Sequence, residues 1–123
     1  MATPVFSTRP LSPAERSLAA YMLSQASKAT PAHQDQLAQA AASTWHCECG
    51  CASYNFALPG LEAPKGGVQV IGDFVFGAGA TLAGAFIFAR DGILAGVEIY
   101  GLAGDAPRTL PTPEELRPFT TAP

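Results

Sequence analysis

The residues richest in chemistry crowd into one short stretch, Trp45-His46-Cys47-Glu48-Cys49-Gly50-Cys51. Thiolate and imidazole are natural zinc ligands, so Cys47, Cys49, Cys51 and His46 form a candidate metal set within six residues. The spacing works against a simple site. Zinc sites commonly pair cysteines two to four residues apart on a turn and bring a second pair from elsewhere, but the chain has three cysteines and its only other histidine is His33. On an extended strand all three thiols would point the same way, their α-carbons roughly 6.6 Å apart per two-residue step. Sulfurs sharing one zinc sit within roughly 3.8 Å of each other. The chain must therefore bend for a site to form; Gly50 permits a bend, and His46 or Glu48 can supply a fourth ligand. The competing reading is reduced structural cysteines at the start of a strand. A redox role is disfavoured, since only His46 stands near to lower a thiol pKa and a disulfide between cysteines two apart is strained.

Other catalytic constellations are missing from the sequence. There is no G-x-S-x-G elbow. Gly77-Ala78-Gly79 has Leu82 where a dinucleotide fingerprint needs its third glycine, and no Lys-Ser or Lys-Thr follows to make a phosphate loop. His33 reads as an exposed residue in the first turn of a helix. Among the carboxylates, Asp91 belongs to a turn and Glu15 and Glu115 to helix caps, which leaves Glu98 between Val97 and Ile99. Placed on one strand face with Leu94 and Tyr100, Glu98 forms a candidate binding face: an acid, an aromatic and an aliphatic side chain together make a recognition patch. The reading is of a protein that is not an enzyme.

Composition sets the bounds. The chain has 123 residues, 48% of them apolar and 14% charged, with a formal charge of −3. That is one domain with a real core, and it is too acidic overall for a dedicated nucleic-acid or anionic-membrane binder. The longest charge-free apolar run, Phe74 to Ala89, is 16 residues with three glycines, shorter than the roughly 20 of a membrane-spanning helix. Met1 to Pro13 contains no basic segment leading into an apolar run. Three clustered cysteines cannot staple distant parts of the chain. The expected location is the cytoplasm.

The positioning elements follow from pattern. Ser12-Pro13-Ala14-Glu15 reads as a capping box opening a helix, with Leu18, Tyr21 and Met22 inward and Arg16 and Ser24 outward. Thr30-Pro31 opens a second, alanine-rich helix to about Ser43, with Leu37, Ala40 and Ala41 as a thin apolar stripe. Tyr54, Phe56 and Leu58 alternate with Ser53, Asn55 and Ala57 as a half-buried strand. Val68, Val70, Phe74 and Phe76 share one parity of the next strand. Asp91-Gly92 suits a two-residue type I′ hairpin turn. Pairing Arg90 with Ile93 then predicts Phe88 opposite Ala95 and Phe86 opposite Val97, so that Phe86, Phe88, Ile93, Ala95, Val97 and Ile99 share the inner face. Leu94, Glu98 and Tyr100 fall on the other face with Ile87. A last helical turn is signalled by Thr112-Pro113-Glu114-Glu115. The expected fold is one α+β domain spanning 1–123: helical 12–43, sheet 45–102, Pro-rich tail 103–123. Its N-terminal helices pack on a mainly antiparallel, meander-like sheet of at least four strands.

With Cys47-Glu48-Cys49-Gly50-Cys51, the stretch Asp91-Gly92-Ile93-Leu94-Ala95-Gly96-Val97-Glu98-Ile99-Tyr100 and the tail Leu110 to Pro118, the chain resembles small uncharacterised bacterial proteins. These share a Ser/Thr-Pro-x-Glu helix, a C-x-C-G-C segment and a D-G-x-L-x-G-[LV]-E-x-Y hairpin. The resemblance implies no activity. By size and charge alone the chain also resembles small acidic immunity proteins that neutralise bacterial toxins, an analogy at fold level. Two functional expectations stand side by side. One is a non-enzymatic, intracellular protein-binding module without a cofactor, with a toxin as the example of a partner. The other is a small zinc or thiol protein using the segment from His46 to Cys51.

Overall fold

Ser12 opens the first helix as its side chain requires. In the computed structural model, which describes residues 7–46 and 48–119, α1 runs Pro13–Gln25; the Ser12 hydroxyl accepts the Glu15 amide and the Glu15 carboxylate accepts the Ser12 amide. Glu15 also takes both arms of Arg9, each at 2.7 Å. Burial works to raise the Glu15 carboxyl, but the Arg9 fork and the Ser12 amide together outweigh it and hold the pKa below its usual value. α2, Pro31–Gln39, opens on Thr30, with His33 Nδ1 accepting the Thr30 amide. It stops short of the expected Ser43. Arg16, exposed as expected, also donates to the carbonyls of Leu37 and Ala40, both at 3.0 Å, and so caps the end of α2. Ala41–Ser43 then leaves as strand β2, because tertiary pairing on both of its sides overrides alanine's helical propensity.

Among the described residues the sheet has seven strands, all antiparallel: β1 Thr8–Arg9, β2, β3 Tyr54–Ala57, β4 Gln69–Phe76, β5 Ala83–Arg90, β6 Ile93–Gly101 and β7 Arg117–Pro118, in the order β1-β2-β3-β6-β5-β4-β7. Both helices pack on one face, giving the expected α+β architecture. α1 contributes Leu18, Ala19, Met22 and Leu23 to a core completed by Tyr54, Phe56, Ile87, Leu94, Val97 and Ile99. The inward residues of β5 are Ala83, Ala85, Ile87 and Ala89. Three methyls there leave room for the helix to sit low on the sheet.

The hairpin turn is as expected: Asp91 and Gly92 have φ of 51° and 75°, and Arg90 pairs with Ile93. Beyond that pair the expected register is wrong. Ala89 faces Leu94, but Phe88 faces Gly96 and Ile87 faces Val97, so Ala95 is an extra residue on β6. A second irregularity makes Ile71 extra on β4, between Val70↔Phe88 and Gly72↔Ile87. Each bulge inverts strand parity. Leu94 and Val97, three residues apart, consequently share the helix-covered face, as do Ile71 and Phe74. Phe86 and Phe88 move to the opposite face, away from Val97, and Val68 and Val70 are exposed.

After β6 the chain crosses to the other edge of the sheet. Ala52 donates to the Pro107 carbonyl at 3.0 Å, Leu110 and Leu116 pack on the core, and a 3-10 turn at Pro113–Glu115, capped by Thr112, leads into β7 beside β4. Both edge strands are two residues long, which blunts edge-to-edge pairing. Among the described residues no helix is long and apolar enough to cross a membrane.

Candidate functional site

Among the described residues, no helix covers the second face of the sheet. Its side chains form cross-strand rows fixed by the register. Asn55, Gly96, Phe88 and Val70 make one row; Glu98, Phe86 and Asp73 make the next; Tyr100, Gly84, Val75 and Arg117 make a third. The two glycines let neighbours lie flat. A Cβ added to Gly84 would overlap the Tyr100 ring, and one added to Gly96 would meet Asn55 Oδ1 and the Tyr54 carbonyl at 2.7 Å. Lying across Gly84, Tyr100 reaches from β6 over β5 to donate to Asp73 Oδ1 on β4 at 2.9 Å. Burial of the phenol, reinforced by the Asp73 carboxylate, pushes its pKa well above 10.

The aromatic groups form a ladder. Phe86 lies 5.8 Å from Tyr100 and 5.6 Å from Phe88, both tilted, and the Arg90 guanidinium stands over the Phe88 ring at 5.8 Å. Arg90 also donates to the Gly66 carbonyl, which ties down the long loop between β3 and β4. That loop and the chain leaving β2 enclose a concavity of about 420 Å³ with Ser43, Trp45, Asn55, Pro64, Phe88 and Arg90 on its walls. Trp45 is 46% exposed.

The cysteine segment lies beside this face. Glu48 and Cys49 form a turn, Gly50 takes a φ of 82°, and the Cys51 amide donates to Cys49 Sγ at 3.3 Å, so the bend that thiol convergence requires is present. The Arg108 guanidinium packs against Gly50, leaving no space for a Cβ there. From Cys51 the contacts run inward. Its thiol is 3.2 Å from Ser53 Oγ, and the Ser53 hydroxyl donates to Glu98 Oε2 at 2.6 Å while accepting the Ile99 amide at 2.8 Å.

The structure thus joins the two regions singled out from sequence through Ser53, a buried hydroxyl that sequence reasoning did not select. Of the candidate ligands, His46 and Cys49 are exposed and Cys51 is half-buried, while Cys47 lies outside the described residues. Among the described residues, no group of three or more His, Cys, Asp or Glu is placed to hold a metal ion. Of the expected binding face, Glu98 and Tyr100 stay together, but Leu94 is fully buried beneath the helices, because the Ala95 bulge turns it inward. Its amide bonds the Gln36 side chain of α2 at 2.7 Å. Phe86, Phe88 and Asp73 take its place beside Glu98 and Tyr100; the signal that could have found them is a glycine directly after each extra residue, Gly72 and Gly96. No family model, curated protein or solved structure matches the chain.

Proposed function

We propose that this chain is a non-enzymatic protein-binding module that docks a partner on the outer face of its sheet, with an immunity-type inhibitor of a toxin as the leading example. The observation that carries the reading is the aromatic ladder on the helix-free face: Phe86 and Tyr100 partly exposed, Phe88 buried beside them, half-exposed Trp45 at one end and carboxylates on either side. Aromatic anchors on a rigid sheet, with polar groups at their margin, suit a recognition surface. The mechanism is occlusion: the face covers the partner's working surface, and acidic groups steer encounter with a basic one. Affinity purification of the tagged protein from its native cells tests this. One stoichiometric partner is expected with the wild type and is lost with Phe86→Ala, provided that variant melts as one cooperative unit. A partner retained equally by Phe86→Ala removes the outer face from the proposal.

A second reading is favoured by one specific observation, the Gly50 bend with its amide-to-sulfur bond at Cys49. In it, Cys47, Cys49, Cys51 and His46 bind zinc or a softer ion. Elemental analysis of protein purified without a histidine tag decides. Metal close to one per chain, lost in Cys49→Ser together with much of the stability, supports it; a trace amount with unchanged stability ends it.

A further inference from the structure

We infer that the row Glu98, Phe86, Asp73 is the seat for an arginine or lysine side chain of the protein partner, an inference that rests on the outer face being the docking surface. The register places the three residues directly opposite one another across β6, β5 and β4. Neighbouring strands lie about 4.8 Å apart, so an acid flanks the phenyl ring on each side. A ring face attracts a cation, and two flanking carboxylates deepen that attraction.

Both carboxylates are oriented by neutral donors. The Ser53 hydroxyl holds Glu98 Oε2 and the Tyr100 phenol holds Asp73 Oδ1, which fixes each group, leaves its charge in place and keeps its second oxygen for another donor. Among the described residues, neither acid has an ion pair; the pair recorded is Arg9 with Glu15 on the helix side. The two arginines on the outer face are engaged at its ends, Arg90 with Phe88 and the Gly66 carbonyl, and Arg117 with the Gly77 carbonyl at 2.9 Å. The centre of the face is therefore anionic and aromatic, in a chain of formal charge −3. Tyr100, partly exposed beside Phe86, extends an apolar floor for the aliphatic stem of a long cationic side chain, while Phe88 is buried on the other side of the ring. A small metal ion fits poorly. It would have to draw an oxygen from each acid to within about 2.6 Å across the ring, against the bonds that hold them apart.

The test is an NMR titration of the full chain with acetyl-Ala-Ala-Arg-Ala-Ala-amide and with its citrulline isostere, which keeps the shape and loses the charge. Saturable shifts centred on Phe86, Asp73, Glu98 and Tyr100 are expected with the arginine peptide and not with citrulline. The double variant Asp73→Asn/Glu98→Gln, which keeps an acceptor for Ser53 and Tyr100, should bind about tenfold more weakly at an unchanged melting temperature. Single Asp73→Asn serves if the double variant fails to fold. Equal shifts with citrulline, unchanged affinity in the variant, or no saturable shift overturns the inference. A partner captured from cells that binds the double variant as well as the wild type overturns the cation seat and leaves the protein-binding reading standing. Loss of that partner only on Phe86→Ala has the same meaning.

Discussion

Tyr100 shows how one side chain can couple packing to charge. Its ring lies across Gly84 and its phenol bonds Asp73, so ionisation is opposed both by burial and by the neighbouring carboxylate. A phenol whose pKa is raised on folding contributes stability that is complete below the unfolded value of about 10 and is lost as pH rises above it. Tyr54, buried and donating to the Glu15 carbonyl at 2.7 Å, acts in the same direction. Urea unfolding should therefore show stability falling steeply above pH 10, and the fall should be shallower in Tyr100→Phe. Gly84→Ala forces the Tyr100 ring aside; a loss of about 1–3 kcal/mol is expected, together with a phenol that titrates closer to 10 by ultraviolet absorbance. Unchanged stability in that variant would mean that the ring does not lie on the glycine. Glu15 works at the other end of the scale. Its depressed carboxyl adds stability above the ordinary pKa of 4.5 that is lost as the solution is acidified through its lower folded value. Glu15→Gln should flatten the acid limb of the stability curve, and an acid limb identical to wild type would contradict the role given to Arg9.

At the level of elements, the two bulges decide which side chains meet which. Each adds one residue to a strand flanking β5, and each is followed by a glycine against which another group packs: Ala26 of the α1 C-cap at Gly72, Asn55 and Phe88 at Gly96. Gly96→Val should push β3 from β6, costing about 1–3 kcal/mol and exposing the amides of β3 to faster hydrogen exchange than those of β4. Exchange that rises equally in both strands would count against this local role. The helix starts, the I′ turn, the β3 alternation and the α+β layering were legible because each has a local cause: a capping side chain, a positive φ, a period of two. The faces of β4 and β6 were not. A strict two-residue period has no place for an extra residue, so it sent Leu94 outward and Phe86 and Phe88 inward. The end of α2 escaped for a different reason, since alanines carry no helix-stop signal and Ala41–Ser43 turns to strand through partners on β1 and β3. Of the candidate site, Glu98 and Tyr100 could be read from sequence; Asp73 and Ser53 could not, because their roles arise from strand neighbours distant in the chain.

On the scale of the whole molecule, the helices cover one face of the sheet, and the proposed function assigns the other to a partner. The helices bury Leu18, Met22, Ile87 and Leu94 completely. Leu18→Ala should cost about 2–5 kcal/mol without altering the outer face, since a cavity beneath α1 is separated from the aromatic ladder by the thickness of the sheet. Thermal melts combined with partner capture check this: a lower Tm with binding intact is expected, and a selective loss of binding would tie function to the helical side. The central claim is that the aromatic face meets the partner. Hydroxyl-radical footprinting of the complex recovered from native cells, against the purified protein, tests it most directly. Oxidation of Phe86, Tyr100 and Trp45 should fall on complex formation while that of Tyr21, on α1, stays as it was; protection of Tyr21 with Phe86 and Tyr100 still reactive would contradict the account.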